Sequence, residues 1–335
     1  MRYDYLIFIG RFQPFHIGHK PVIQQALKQS HKVIVLIGSA NQPRTLRNPW
    51  DFNERERMIR CNFSDEENKR ILISPLQDYI YNNTLWIKSV QLIVSGLIHS
   101  KIASKPLIGL IGYSKDHTSK YLDEFPQWER VEVEEYKDIH ATTIRESYFA
   151  LGEIGQDVTT SVAIELEKFM ATNAYKQVAD EYHFINKYKS AWDASPYTPM
   201  FVTVDAVVVQ SGHILLIERK AQPGKGLMAL PGGFLDPTEN LQEAVIRELR
   251  EETRIKVPAP VLAGSISKKE VFDDPHRSAR GRTITHAYLI ELSGDKLPKV
   301  KGGDDASKAF WVAYADVKPE QMFEDHFHII QAMVG

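Results

Sequence analysis

Residues 5–20 read YLIFIGRFQPFHIGHK. A short apolar run ends at Gly10, a polar loop with one arginine and two histidines follows, and a helical pattern begins at Gly18. This order is typical of a strand that runs into a helix within a parallel sheet. The N–H groups and the positive dipole end at the start of such a helix attract anions. The stretch therefore predicts an anion-binding corner, although the same spacing also fits a helix-start loop with two surface histidines.

The first half of the chain repeats this alternation, which predicts an α/β domain with a doubly wound, Rossmann-like parallel sheet. Ligands of such sheets bind beyond the carboxyl ends of the strands. The expected strands are Tyr5–Gly10, Lys32–Gly38, Ile71–Ser74, Pro106–Tyr113 and Arg130–Tyr136. The expected helices are Gly18–Gln29, Asp51–Phe63, Thr84–Leu97 and Thr142–Leu151.

The second half has a different pattern, in which a strand hairpin is followed by a glycine-rich turn and one strongly helical segment. Residues 181–200 are rich in Tyr, Lys, Ser and Pro, so we expect them to link a domain of residues 1–180 to one of residues 201–335. The expected strands are Phe201–Val209, His213–Arg219, Val261–Ser267, Thr283–Leu292 and Ala309–Val312. The expected helices are Leu241–Thr253 and Pro319–Met333.

The composition excludes several classes of protein. The 335 residues are 43% hydrophobic, so a sizeable core is expected, and the net charge of −2 argues against binding nucleic acid through bulk charge. The single cysteine, Cys61, excludes a disulfide framework and fits a reducing compartment. No apolar run reaches the ~20 residues of a membrane span, and no signal peptide is recognisable. We therefore expect a cytoplasmic protein without membrane or nucleic-acid partners; a homo-oligomer is compatible with the sequence.

The segment His16-Ile-Gly-His19 resembles the H-x-G-H signature of the nucleotidyltransferase superfamily. The longer string from Gly10 to His19 is similar to nicotinamide-mononucleotide (NMN) adenylyltransferases of the archaeal type, and residues 47–59, 75–86 and 139–145 resemble further segments of that family in the same order. His140 stands where serine is usual. The resemblance implies synthesis of NAD from NMN and ATP; a cytidylyltransferase is the rival within this superfamily.

This resemblance also implies site residues, which would bind phosphates, ribose or the pyridine ring. It implies that Mg²⁺ or Mn²⁺ bridges the triphosphate, held largely by phosphates and water. The expected catalytic residues are Arg11, His16, His19 and Arg145. The expected substrate-binding residues are Gly10, Phe12, Gly18, Arg47, Asp78, Asn83, Trp86 and Thr142. By spacing alone, Trp86 also fits a core position, Asp78 and Asn83 fit turns, and Asp51 with Glu54 fits a helix cap.

Residues 233–255 read GFLDPTENLQEAVIRELREETRI. Glu248, Glu251 and Glu252 lie at i, i+3 and i+4 of a helix, where one face carries all three charges and a divalent cation would relieve their repulsion. A solvated acidic face is the plainer interpretation. The stretch resembles the Nudix box, with Arg254 in place of its last glycine. The resemblance implies an α/β/α sandwich with a mixed sheet, Mg²⁺ or Mn²⁺ on the three glutamates, and catalytic roles for Glu251 and Glu252.

Residues 274–281, DPHRSARG, resemble a stretch of Nudix proteins that handle ADP-ribose, with Ser278 in place of an acidic residue. Arg277 and Arg280 then contact phosphate or ribose; otherwise they are loop charges. The implied reaction is hydrolysis of ADP-ribose to AMP and ribose 5-phosphate. The alternatives are another nucleoside diphosphate derivative as substrate, or a sensor of ADP-ribose without turnover. The candidates for the general base are Glu270, Asp304 and Asp305.

Three residues outside these motifs invite metal or redox chemistry. We expect Cys61 to be a buried thiol, and His326 and His328 to lie on an exposed helix face, with no such function.

Overall fold

The structure is a computed structural model and describes residues 1–98, 106–113, 122–133 and 139–335. The chain divides into two compact units, Met1–Ala179 and Asp180–Gly335. Among the described residues, no helix has the length and apolar character needed to cross a bilayer.

The N-terminal unit is built on a five-stranded sheet in the order β3-β2-β1-β4-β5, with every neighbouring pair parallel. Its strands are β1 Tyr3–Gly10, β2 Ser30–Ala40, β3 Ile71–Gln77, β4 Ile108–Gly112 and β5 Glu129–Glu132. The predicted doubly wound parallel sheet is confirmed. The far end of the fifth predicted strand, which includes Tyr136, falls outside the described residues.

The helices of this unit begin with α1, which follows β1 directly. They are α1 His19–Gln29, α2 Phe52–Arg60, α3 Asp65–Asn68, α4 Asn83–Leu97, α5 Ala141–Leu151, α6 Thr160–Met170 and α7 Asn173–Ser190, of which α7 continues into the second unit. The predicted linker, 181–200, is therefore helical over its first half. The expected cap of α2 is present, since Asp51 and Glu54 each accept the other's backbone N–H at 2.9 Å.

The C-terminal unit has a mixed sheet, as expected. Its strands are β6 Met200–Gln210, β7 His213–Arg219, β8 Met228–Ala229, β9 Gly232–Phe234, β10 Ile266–Phe272, β11 Arg282–Glu291 and β12 Ala306–Ala313. The main order is β10-β11-β6-β7-β12, and only β11 and β6 pair in parallel within it. The predicted β6–β7 hairpin turns at Ser211 and Gly212, whose φ of 48° and 73° suit a tight turn.

Three helices complete this unit: α8 Leu241–Thr253, α9 Ala259–Gly264 and α10 His326–Val334. The strand predicted at Val261–Ser267 is wrong. Pro258 precedes α9 in an extended conformation, and α9 buries Leu262 in the core before β10 begins at Ile266. The last predicted helix is shorter than expected, because a 3₁₀ turn at Pro319–Gln321 is separated from α10.

Candidate active sites

The loop after β1, residues 10–19, is held in a strained and tightly packed conformation. Phe12 has a φ of 52°, which non-glycine residues rarely adopt, and its ring is buried. A Cβ at Gly10 would lie 2.8 Å from the Phe12 ring, so a larger residue there would have to move that buried ring. The loop is therefore rigidly built where the sequence predicts an anion-binding corner.

His16 and His19 lie together at the start of α1. His19 Nδ1 accepts the His16 backbone N–H at 3.1 Å, and His16 Nδ1 accepts the Gly18 N–H at 3.2 Å. Burial, with a smaller contribution from His16, lowers the pKa of His19 well below its ordinary value. Tyr113, the residue after β4, donates its hydroxyl to the Gly18 carbonyl at 2.7 Å, which fixes the same turn.

Three arginines bring positive charge to this loop. Burial, then the charge of Arg47, lowers the pKa of Arg11 to about 10, and Asp78 partly offsets this. Burial, then Arg11 and Arg47, lowers the pKa of Arg145 to about 10, so all three guanidinium groups act on one another. The buried Nη1 of Arg11 has no hydrogen-bond partner among the described residues. A polyanion would satisfy this donor and the excess charge.

The other predicted residues near this loop already have partners. Arg145 donates to the Gln13 carbonyl at 2.7 Å and to Thr142 Oγ1 at 3.1 Å, so Thr142 helps to orient the guanidinium. Asp78 Oδ1 accepts the Ser39 N–H at 3.2 Å at the end of β2. His140 precedes α5 but does not cap it with its side chain, a task that serine performs well.

The predicted pyridine-binding residues lie at the start of α4. Asn83 is exposed, and its Nδ2 is 3.3 Å from Glu124 Oε1. Trp86 is partly buried against the core of the unit, with its ring 5.9 Å from that of Phe125. Trp86 thus has both a core contact and a partly exposed surface. This environment is compatible with a core position and with a role in stacking on the pyridine ring.

In the second unit, α8 carries the acidic segment and begins with a complete cap. Asn240 Oδ1 accepts the N–H of Glu243 at 3.0 Å, and Glu243 accepts the N–H of Asn240 at 2.9 Å. Before the helix, a Cβ at Gly233 would lie 2.5 Å from Glu248 Oε1. A larger residue at position 233 would therefore have to displace the Glu248 carboxylate, and glycine lets β9 approach the acidic face closely.

The acidic face of α8 is organised around Arg247. Its guanidinium donates to Glu239 at 2.6 and 2.9 Å, to Glu248 at 2.9 Å and to Glu251 at 3.0 Å. Neither on this helix nor elsewhere among the described residues do three histidine, cysteine or acidic side chains lie close enough together to hold a metal ion. The hard carboxylate oxygens of Glu248, Glu251 and Glu252 suit Mg²⁺ or Mn²⁺, and in this structure each carboxylate accepts a hydrogen bond from Arg247 or Gly232.

Glu252 and Glu248 lie in an acidic and poorly hydrated environment. Glu252 accepts the Gly232 N–H at 2.9 Å, yet burial raises its pKa to about 8, with Glu248 and Asp305 adding to the rise. Burial also raises the pKa of Glu248, and Asp304 contributes. Proximity thus favours Asp304 and Asp305 over the third general-base candidate.

That third candidate, Glu270, lies on β10 and pairs with Lys268 at 2.9 Å on the surface. Arg254, the departure from the box, ends α8 with a φ of 46°, so it adopts the left-handed conformation that glycine would take more easily. A Cβ at Gly303 would lie 2.8 Å from Arg254 Nε, which shows how tightly the 300–305 loop packs there.

The two arginines of the 274–281 segment have different environments. Arg277 is buried and forms a two-pronged ion pair with Asp325, with both distances 2.9 Å. It therefore does not point to a ligand in this structure, and it is not a solvated loop charge either. Arg280 is less enclosed, with its guanidinium 5.2 Å from the Phe234 ring and 3.9 Å from Glu324.

The expected environments of three residues outside the motifs are wrong. Cys61 is exposed. His326 and His328 are buried, and His326 Nδ1 accepts the Leu230 N–H at 2.9 Å while its Nε2 lies 3.8 Å from Asp205 Oδ1. The apolar residues of α10 occupy several faces, so the pattern did not identify an exposed side for the histidines.

One buried arginine of the N-terminal unit belongs to the segment of residues 47–59 that resembles the adenylyltransferase family, but the sequence analysis gave it no role in the site. Arg55 is 1% exposed and lies on the inner face of α2 with Met58 and Ile59. Arg55 lies three residues before Met58 and four before Ile59, which places it on the apolar face of the helix; this spacing is the signal that could have identified it.

Comparison with known proteins assigns each unit. The Cytidylyltransferase-like family matches residues 7–147, and the NUDIX domain family matches residues 199–333. A nicotinamide/nicotinic acid mononucleotide adenylyltransferase of Acinetobacter baylyi is 41% identical over 183 residues, which cover 54% of this chain and 94% of that protein. An ADP-ribose pyrophosphatase of Methanocaldococcus jannaschii is 40% identical over 108 residues, which cover 32% of this chain and 59% of that protein.

A solved structure resembles the whole chain. It is a bifunctional NMN adenylyltransferase/ADP ribose pyrophosphatase from Francisella tularensis, complexed with AMP and Mn ion, with 37% identity and a TM-score of 0.91. The match covers 99% of this chain and 98% of that one. The chain therefore belongs to the family of bifunctional NMN adenylyltransferases/ADP-ribose pyrophosphatases.

Proposed function

We propose that the N-terminal unit transfers the adenylyl group of ATP to NMN, giving NAD and pyrophosphate. The observation that carries this proposal is the group of Arg11, Arg47 and Arg145 beside the β1 loop, with a buried and unpartnered donor on Arg11. In the reaction, a 5′-phosphate oxygen of NMN attacks the α-phosphorus of ATP in line, and the bond to the bridging oxygen of pyrophosphate breaks. Such a transfer depends on positioning and charge neutralisation rather than on a covalent intermediate.

In this proposal, Arg11 and Arg145 clamp phosphate groups with their planar guanidinium forks. His16 and His19 donate from Nε2, since each Nδ1 accepts a backbone N–H. Mg²⁺ or Mn²⁺ held by the triphosphate would neutralise further charge. Gly10, Phe12 and Gly18 shape the nucleotide pocket, while Asp78, Asn83 and Trp86 bind the NMN end.

We assign hydrolysis of ADP-ribose to the C-terminal unit. Water is consumed, one P–O bond of the pyrophosphate breaks, and AMP and ribose 5-phosphate form. Glu248, Glu251 and Glu252 would hold a divalent cation, which supplies Lewis-acid polarisation of the pyrophosphate. The acidic face of α8 beside the tight Gly232–Gly233 approach supports this assignment. Arg280 beside Phe234 is suited to contact the substrate, whereas contact between Arg277 and the substrate requires the ion pair with Asp325 to open.

The test uses the full-length chain. We expect NAD from NMN plus ATP, and AMP plus ribose 5-phosphate from ADP-ribose with Mg²⁺ or Mn²⁺. Product from CTP and another phosphate acceptor, with none from NMN plus ATP, would overturn the first assignment. Binding of ADP-ribose without turnover, or faster hydrolysis of another nucleoside diphosphate sugar, would overturn the second.

The single cysteine, exposed and unpaired, supports a cytoplasmic location.

A further inference from the structure

We propose that Arg55 is a positioning residue of the adenylyl-transfer site, which aims Arg11 by holding the backbone at the ends of β1 and β2. The inference rests on the proposed transferase function. Arg55 lies in α2 and is 1% exposed, so its side chain can contact only groups in the protein interior.

The guanidinium of Arg55 binds only backbone carbonyls in the described chain. Nη1 donates to the Arg11 carbonyl at 2.7 Å and to the Gly38 carbonyl at 2.6 Å, and Nη2 donates to the Ser39 carbonyl at 3.2 Å. Nε donates to the Asp51 carbonyl at 3.2 Å at the start of its own helix. One rigid fork thus joins the ends of two neighbouring parallel strands, at the edge of the sheet where ligands bind.

The backbone that Arg55 holds is strained. Phe12, directly after the Arg11 carbonyl, has a φ of 52°, and Ser39 has a φ of 50°. Such conformations persist only where surrounding contacts enforce them. At Ser39 those contacts come from both sides, because Asp78 accepts its N–H at 3.2 Å while Arg55 binds its carbonyl.

Fixing these carbonyls has consequences for the groups that face the nucleotide. The Arg11 carbonyl belongs to the peptide plane that joins Arg11 to Phe12, so its orientation sets the direction of both side chains. Arg11 carries the unpartnered buried Nη1, and the Phe12 ring packs edge-on against His19 with centroids 4.9 Å apart. Loss of Arg55 would therefore misplace an arginine and a histidine of the site together.

The same unit contains a control arginine at the opposite ends of the strands, Arg70, which is partly exposed where Arg55 is buried. Arg70 precedes β3 and also donates to three backbone carbonyls, those of Leu27, Ser30 and His31, at 2.5, 2.6 and 3.0 Å. These carbonyls lie at the end of α1 and the start of β2, away from the carboxyl ends of the strands. Substitution of Arg70 removes comparable hydrogen bonds without touching the β1 loop.

The experiment compares Arg55→Ala, Arg55→Lys, Arg70→Ala and Arg70→Lys in the full-length protein, with wild type assayed in parallel. We expect both Arg55 variants to lose about 100-fold in kcat for NAD formation, with the KM for NMN little changed, because a small misplacement of charged groups slows transfer. Lysine fails because one ammonium cannot span four carbonyls. Guanidinium ion below denaturing concentrations should restore Arg55→Ala but not Arg55→Lys, and both Arg70 variants should stay within about threefold of wild type.

A second readout needs no turnover. Calorimetric titration with tripolyphosphate should show weaker binding to the Arg55 variants, by about tenfold, and unchanged binding to the Arg70 variants. An Arg55→Ala protein that does not fold leaves the decision to the two lysine variants. Equal losses at positions 55 and 70, wild-type kcat at Arg55→Lys, or a folded Arg55→Ala that guanidinium does not restore would overturn the inference. If wild type makes no NAD, the transferase proposal fails, and the tripolyphosphate comparison alone decides the role of Arg55.

Discussion

The imidazole rings of His16 and His19 stack with their centroids 3.6 Å apart. In each ring Nδ1 accepts a backbone N–H of the same loop, so a neutral ring carries its proton on Nε2. The backbone thereby selects the tautomer of both histidines, and the buried pair offers two N–H donors without two buried charges.

We expect His19→Ala to reduce kcat for NAD formation by about 10²–10³-fold, because one donor to the transition-state charge is lost. His19→Gln should retain more activity than His19→Asn, since only the longer amide reaches the position of Nε2. The rate of NAD formation measures both effects. ADP-ribose hydrolysis by the same preparations is the internal control, and wild-type kcat in His19→Ala would contradict the role.

Glu251→Gln and Glu252→Gln should each slow ADP-ribose hydrolysis by about 10³-fold and leave NAD formation unchanged. Each substitution removes a carboxylate from the proposed metal site, whose contribution to the transition state is several kcal/mol. Release of AMP at increasing Mn²⁺ concentration is the measurement. Glu243→Gln, in the cap of the same helix, should behave as wild type; an equal loss there would show that the helix, rather than the acidic face, had been damaged.

Arg277→Ala should destabilise the C-terminal unit by about 3–5 kcal/mol, because Asp325 would be left buried without its partner. Arg282 pairs with Asp273 at 3.5 Å on the surface, so Arg282→Ala should cost under about 1 kcal/mol. Urea unfolding measures both. A raised KM for ADP-ribose with unchanged stability would instead support direct contact between Arg277 and the substrate.

His326 should make the C-terminal unit sensitive to acid. Burial lowers its pKa from 6.5 to about 3, although Asp325 opposes this and Arg277 adds to it. Below pH 6.5 the unfolded chain therefore binds a proton at His326 that the folded protein does not bind. The free energy of unfolding consequently decreases as the pH is lowered. The slope is at most about 1.4 kcal/mol per pH unit.

Urea midpoints measured between about pH 7 and 5 should thus fall more steeply in wild type than in His326→Gln. Burial raises the pKa of the neighbouring Asp205, which acts in the opposite direction but is present in both proteins. Parallel pH curves for the two proteins would show that His326 is not the responsible group.

Local sequence signals predicted much of the fold. The bounds of α8 follow from its cap at Asn240 and its helical periodicity, and the hairpin follows from two apolar runs separated by the Ser211–Gly212 turn. The strand predicted at Val261–Ser267 failed because its short apolar run suits a strand as well as a helix. The helix that continues into residues 181–190 was missed because its pattern is weak.

The sites were predictable as sets of residues but not as sets of contacts. Spacing along α8 placed Glu248 and Glu251 on one face, yet it could not show that Arg247 donates hydrogen bonds to both carboxylates. Likewise, nothing local connects Arg277 with Asp325, which lies 48 residues away along the chain. Contacts of this kind depend on how distant elements pack, and a single sequence does not encode them in any short pattern.

Arg247 gives the acidic helix a resident cation of its own. Its guanidinium pairs with Glu248 and Glu251, so the positive charge that compensates both carboxylates comes from the same helix. The folded helix therefore does not depend on an external ion to offset the repulsion between these glutamates.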